Sequence, residues 1–330
     1  MNTVKSISRS RWSWVPACAG TTDSHRQSTQ AAIVTDSSWL WALFTIIAAA
    51  AQTARNAMQR ELTESLGTVG ATHVRFLFGF PFALLSLMAI WLVSGEPLPR
   101  PGWAFWPWVF DGALAQIAAT ALMLAAMNDR SFVVTIAYIK TEAVQVALFG
   151  FVLLGDVVTL PMAVAILIAT AGVLVMSLKP GVSGGFRPTL LGLAAGALFG
   201  LSATGYRGAI LSLQGNGYVV AATFTLVVGL VIQSVVPSLY LWWRDPGVLV
   251  AIVRAWRPSV LAGFMGALAS QFWFLAFALA SVASVRTVAL VEVLFAQAIS
   301  RFIFGQHTSA REGVGIALVV IGVVLLLWSY

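Results

Sequence analysis

At 330 residues, 59% hydrophobic and 9% charged, with a mean hydropathy of +0.89, the chain carries more apolar surface than a soluble domain can hide, which leaves a helical membrane protein. The net charge of +7 does not point to nucleic acid, because the basic residues are scattered one or two per loop without a basic stripe or aromatic-basic interleaving. A single cysteine, Cys18, excludes an intramolecular disulfide and a cysteine-based zinc site.

Residues 1–33 lack the apolar core of a signal peptide and read as a disordered leader or an over-extended start, with Val34 as an alternative first residue. A spanning helix needs about 20 largely apolar residues, so the rest of the chain has room for about ten. Apolar runs predict spans over 38–57, 69–93, 105–127, 131–153, 157–177, 189–212, 218–242, 258–280, 284–304 and 311–329. Gly95-Glu96-Pro97, Lys179-Pro180-Gly181 and Arg244-Asp245-Pro246-Gly247 are helix stops between them. Trp39, Trp41, Trp106, Trp108, Trp242, Trp243 and Trp328 fall at predicted ends, where an interfacial belt is expected.

The chain repeats itself at an offset of 150 residues: Glu142 recurs as Glu292, Gly155 as Gly305 and Gly172 as Gly322. The offset pairs the third, fourth and fifth spans with the eighth, ninth and tenth. Each repeat, 34–180 and 181–330, therefore holds five spans. An odd number forces the second copy into the membrane upside down, the inverted-repeat arrangement with a site near the midplane. The fold class expected is an all-α polytopic membrane protein of about ten transmembrane helices in two inverted five-helix repeats. Gly192, Gly196 and Gly200, and likewise Ala262, Gly266 and Ser270, form ridges of small residues on which neighbouring helices pack closely.

Charged side chains at membrane depth cost a few kcal/mol and so mark candidate sites. On the fourth span Thr135, Tyr138, Glu142 and Gln145 share one helical face. The matching positions of the ninth span are Val285, Val288, Glu292 and Phe295, which leaves Glu292 alone on an apolar face, where burial favours its uncharged form. The first span carries Thr45, Gln52, Asn56 and Gln59 on a similar stripe. The competing reading of both glutamates is structural, as helix-bridging carboxylates. Lys140, about 200° round the helix from Glu142, is expected off that face, pairing with Asp111 or reaching a cavity from the side. Arg75 is expected either to snorkel to the interface or to sit at a cavity mouth. Phe272, Trp273 and Phe274 are weighed as a cavity wall against lipid-facing packing. No Walker loop, His-Glu-x-x-His, metal-ligand cluster or serine elbow occurs, so no enzyme activity, cofactor or metal is expected.

Lys140-Thr141-Glu142-Ala143 and Leu290-Val291-Glu292-Val293, the turns Leu153-Leu154-Gly155-Asp156 and Phe304-Gly305-Gln306, and Arg75-Phe76 resemble signatures of the drug/metabolite transporter superfamily, in its EamA branch. The resemblance runs from residue 38 to 330. It departs from the pattern in lacking a proline after each glutamate, which implies straighter fourth and ninth helices. It implies cytoplasmic termini, although the positive-inside bias prefers the reverse because Arg55, Arg244, Arg301 and others would then lie outside.

The function expected is a secondary transporter of the bacterial inner membrane, moving a small metabolite, amino acid or drug by alternating access. Either Glu142 or Glu292 could bind a coupling proton; Glu142 is assigned the substrate contact and Glu292 the protonation switch. Tyr138, Thr135, Gln145, Lys140, Gln52, Asn56 and Arg75 complete the candidate translocation site. One alternative is a transporter of small organic anions that uses Lys140 and Arg75; another is a non-transporting membrane scaffold or lipid-handling subunit. The partners expected are a small-molecule substrate and the lipid bilayer, with homodimer formation left open.

Overall fold

The computed structural model describes residues 39–129, 135, 138–177, 186–213, 215–295 and 309–329. From Leu40 onward every regular element among these residues is helical. The α-helices in chain order are α1 (Leu40–Leu77), α2 (Phe80–Ser94), α3 (Phe105–Asp129), α4 (Glu142–Phe149), α5 (Leu160–Ser177), α6 (Phe186–Ser212), α7 (Tyr218–Arg244), α8 (Pro246–Arg254), α9 (Trp256–Leu279), α10 (Val282–Val288) and α11 (Ala310–Trp328), with a π-helical turn at Gly150–Leu154 and a 3₁₀ turn at Ala289–Val291. Helices satisfy their own backbone groups, which is what allows such segments to lie in hydrocarbon. The leader, the Lys179-Pro180-Gly181 break, Arg301, Gly305 and Gln306 lie outside the described residues.

Among the described residues six stretches are long and apolar enough to cross a membrane: Leu62–Ser94, Phe105–Ala126, Thr189–Ser212, Tyr218–Arg244, Trp256–Leu279 and Ala310–Trp328. Two of the expected spans appear as the shorter apolar helices Glu142–Leu154 and Leu160–Met176. Length and composition make the chain an α-helical membrane protein. Its polarity is inverted to match, for Leu92, Val93 and Leu160 stand out on the surface while Gln59, His73 and Gln233 are fully buried. Trp242, Trp243 and Trp328 are exposed as a belt requires, but Trp41 is buried and Trp108 is packed against Gly208. For these two, packing between helices wins over an interfacial position.

Gly67 divides α1 into two helical segments with φ 68 and ψ 174, a backbone region open to little besides glycine. A Cβ added there meets nothing within 4 Å, so Gly67→Ala isolates the backbone cost. It is expected to remove about 1–3 kcal/mol of stability. Thermal unfolding in detergent measures it, and an unchanged midpoint would mean that the turn relaxes.

Three long antiparallel or crossing contacts organise the bundle: α3 along α6, α1 along α9, and α5 along α11. Small residues set the distances. A Cβ at Gly172 would lie 2.8 Å from Val319 N, and one at Gly322 would lie 2.6 Å from Ala169 N. Gly315 sits against Met176, so the partner number falls as the α5 number rises, and α5 and α11 run antiparallel. The ridge of Gly192, Gly196 and Gly200 on α6 seats Tyr138, Ile139 and Phe149, which fixes the segment leading into α4.

Candidate functional site

Two helix interruptions shape the centre of the protein. Lys140 and Thr141 form a turn, with bonds from Thr141 N to Tyr138 O (3.3 Å) and from Val144 N to Thr141 O (3.1 Å) closing three-residue loops. In the other half Ala289–Val291 is a 3₁₀ turn. Each interruption comes immediately before a glutamate, Glu142 or Glu292. The straighter helices implied by the missing prolines are therefore not found. Thr141 Oγ1 donates to Tyr138 O at 2.7 Å, a side-chain bond that competes with the helical ladder and does without proline. A three-residue turn advances about 120° per residue against about 100° in an α-helix. Lys140 thus swings toward the side that Glu142 faces, and both line one cavity.

That cavity holds two crossed ion pairs. Lys140 Nζ is 2.9 Å from Glu292 Oε2, and Arg286 Nε is 2.8 Å from Glu142 Oε1. In the second pair the N–H direction misses the oxygen, so charge rather than a hydrogen bond holds the contact. Glu292 is not alone on an apolar face as the sequence suggested, because the other half supplies its cation. Nor does Lys140 pair with Asp111.

An amide and an indole join the two pairs. Trp273 Nε1 donates to Gln52 Oε1 at 3.0 Å, and Gln52 Nε2 donates to Glu292 Oε2 at 3.5 Å. The Arg286 guanidinium lies 4.5 Å above the Trp273 ring and 5.4 Å from that of Phe277. Cation–π contact of this kind is strengthened by desolvation. Trp273 and Phe274 are buried in the cavity wall, whereas Phe272 packs on Phe44.

Two more arginines reach the same space. Arg55 is 2% exposed; its Nη2 donates to Asn56 Oδ1 at 2.6 Å, while Nε and Nη1 have no partner among the described residues. Arg75 is 4% exposed and donates from Nη1 to Thr120 Oγ1 at 3.4 Å. It lines the cavity and does not snorkel. The free volume is about 30 Å³, room for one or two waters, so a solute of metabolite size enters only if the walls part.

Of the sequence candidates, Glu142, Glu292, Lys140, Gln52, Asn56 and Arg75 converge on the cavity. Thr135, Tyr138 and Gln145 do not line it. Thr135 donates to Ala126 O, Tyr138 rests on Gly192, and Gln145 donates to Thr141 Oγ1. Sequence reasoning missed Arg286 and Arg55 as site residues. Arg286 has Ile136 at its repeat position and stands near a predicted span end, so neither repetition nor depth marked it. Burial of Arg55, Arg75 and Arg286 also removes them from any count of loop charges bearing on orientation.

Outside the cavity, Arg207 closes the end of α9. Its Nη1 donates to Phe277 O and Ala280 O at 2.6 Å each, and Nη2 lies 3.6 Å from Asp156 Oδ1. Arg207→Met is expected to cost about 1.5–3 kcal/mol, the range for hydrogen bonds from a charged donor, as read by thermal unfolding. A cost near zero would mean that water replaces the guanidinium.

No protein-family model matches the chain, and no curated protein matches it. Several solved structures are similar, among them a crystal structure with a TM-score of 0.65 at 14% identity, over 88% of this chain and 96% of the other. At that identity the likeness concerns the fold alone.

Proposed function

We propose that the chain is a secondary transporter: a permease of the EamA kind in the bacterial inner membrane, with ten spans in two inverted five-helix repeats, that moves a small organic solute by alternating access. The observation that carries this reading is the crossed pairing of Glu142 with Arg286 and of Glu292 with Lys140, each pair joining one half of the chain to the other across a buried cavity. Such pairs are costly to bury and serve best where they are made and broken.

The packing supports the repeat. An offset of 150 residues carries α3 onto α9 and α1 onto α6, so the contact of α3 with α6 becomes that of α9 with α1. The same offset turns the Gly172–Val319 contact into Gly322–Ala169, as expected of an axis lying in the membrane plane. Discontinuous helices beside the site belong to the same pattern. Parting the halves breaks ion pairs that reclosing restores, which gives the closed state a discrete well. A proton on either glutamate releases its cation and thereby couples protonation to opening.

Ser202 on α6 and Ser270 on α9 line the cavity and serve as reporters. With Cys18→Ser removing the single native thiol, a cysteine at either serine is expected to react with an impermeant thiol reagent from both membrane sides, in right-side-out and inverted vesicles. Labelling from one side only, or from neither, contradicts alternating access and favours the scaffold reading.

A further inference from the structure

We propose that the solute is a small organic anion, a carboxylate or phosphate monoester on a compact apolar body, whose charged head is held between Arg55 and Arg75. This deepens the transporter reading and rests on it. Four cations line the cavity, Arg55, Arg75, Lys140 and Arg286, against two carboxylates, Glu142 and Glu292. The carboxylates are taken by Lys140 and Arg286. Arg55 and Arg75 remain, and among the described residues no carboxylate pairs with either.

Two buried guanidiniums without a counter-ion are an expensive arrangement, and a ligand anion is the group that offsets it. Arg55 keeps Nε and Nη1 as donors without a partner among the described residues; they lie on different edges of the guanidinium, Nη2 being taken by Asn56, so each reaches an anion oxygen singly. The two stems are neighbours, since a methyl at Gly266 would lie 3.3 Å from Arg75 Cγ and 3.4 Å from Arg55 Cδ. Lys140, named from the sequence as an anion ligand, is already neutralised by Glu292. Phe274, Phe199, Met123 and Ile139 make the remaining wall apolar, which suits a hydrocarbon or aromatic body and disfavours an inorganic ion.

The test titrates the purified full-length protein with benzoate, phenyl phosphate, inorganic phosphate, benzamide and benzylamine. The acids are expected to bind saturably and the amide and amine not to bind. Phenyl phosphate is expected to outbind inorganic phosphate, which lacks the apolar body. Arg55→Gln is expected to weaken acid binding about 10-fold or more, Arg55→Lys by less. Because Arg55→Gln removes an uncompensated buried charge, it is also expected to raise the melting temperature of the ligand-free protein, which a purely structural arginine would lower. Absence of saturable acid binding, equal affinity for benzoate and benzamide, inorganic phosphate binding as tightly as phenyl phosphate, or unchanged affinity in Arg55→Gln overturns the proposal. Flux of benzamide without acid binding would remove the anion site and leave a transporter. Acid binding lost in Arg55→Gln without flux of any solute would keep the site and remove the transporter.

Discussion

Lys140→Met alone is expected to destabilise the protein by about 3–5 kcal/mol, the cost of stranding a buried charge, and Glu292→Gln in the same chain is expected to return most of that loss. Glu292 is 5% exposed and has Lys140 at 2.9 Å, with only the 3.5 Å contact of Gln52 to spare. Neutralising one partner leaves the other without compensation, whereas neutralising both leaves two uncharged side chains of similar volume. The same is expected of Arg286→Met with Glu142→Gln, although the cation–π contacts to Trp273 and Phe277 are then lost as well. The informative control pairs the wrong partners: Lys140→Met with Glu142→Gln leaves two stranded charges and is expected to show no rescue. Unfolding in detergent, followed by tryptophan fluorescence, measures these cycles. Additive losses in the matched pairs would contradict the crossed assignment.

The second large effect is expected at the crossing of α5 and α11. Gly172→Val and Gly322→Val each force side-chain atoms where even a methyl would approach backbone nitrogen at 2.8 Å and 2.6 Å. Overpacking in a rigid core costs about 1–3 kcal/mol and occasionally more. The two contacts exchange under the repeat, so the two losses are expected to match. Gly313→Val is the control, because nothing lies within 4 Å of a Cβ at that position. Folded yield and melting temperature read the effect. A large loss in one variant and none in the other would break the symmetry argument.

What the sequence disclosed depended on repetition. Glu142 and Glu292, and Gly172 and Gly322, stood out because each occurs twice at the same offset, and these residues hold the ion pairs and a close helix crossing. The cations are not repeated. Lys140 corresponds to Leu290 and Arg286 to Ile136, so nothing local told which carboxylate each would meet. Both pairs cross from one half to the other, a relation that helical periodicity within one span does not contain. The interruptions before the glutamates were equally hidden, since neither carries proline or glycine. Thr135, Tyr138 and Gln145 share a face with Glu142 only on an uninterrupted helix, and the turn at Lys140–Thr141 breaks that register. Arg55 lay inside an apolar run and was counted as a loop charge, because burial of an unpaired guanidinium is visible only once its neighbours are placed.

Solute flux tests the central claim most directly, namely that the charge-paired cavity is the path of a small organic solute. Purified protein in liposomes, offered labelled organic acids, amino acids and neutral metabolites, is expected to give saturable uptake of at least one solute. That uptake is expected to fall to the background of empty liposomes in Glu142→Gln and in Glu292→Gln and to persist in Gly313→Val. Uptake that is the same in all four proteins, or absent for every solute in the wild type, would contradict the account.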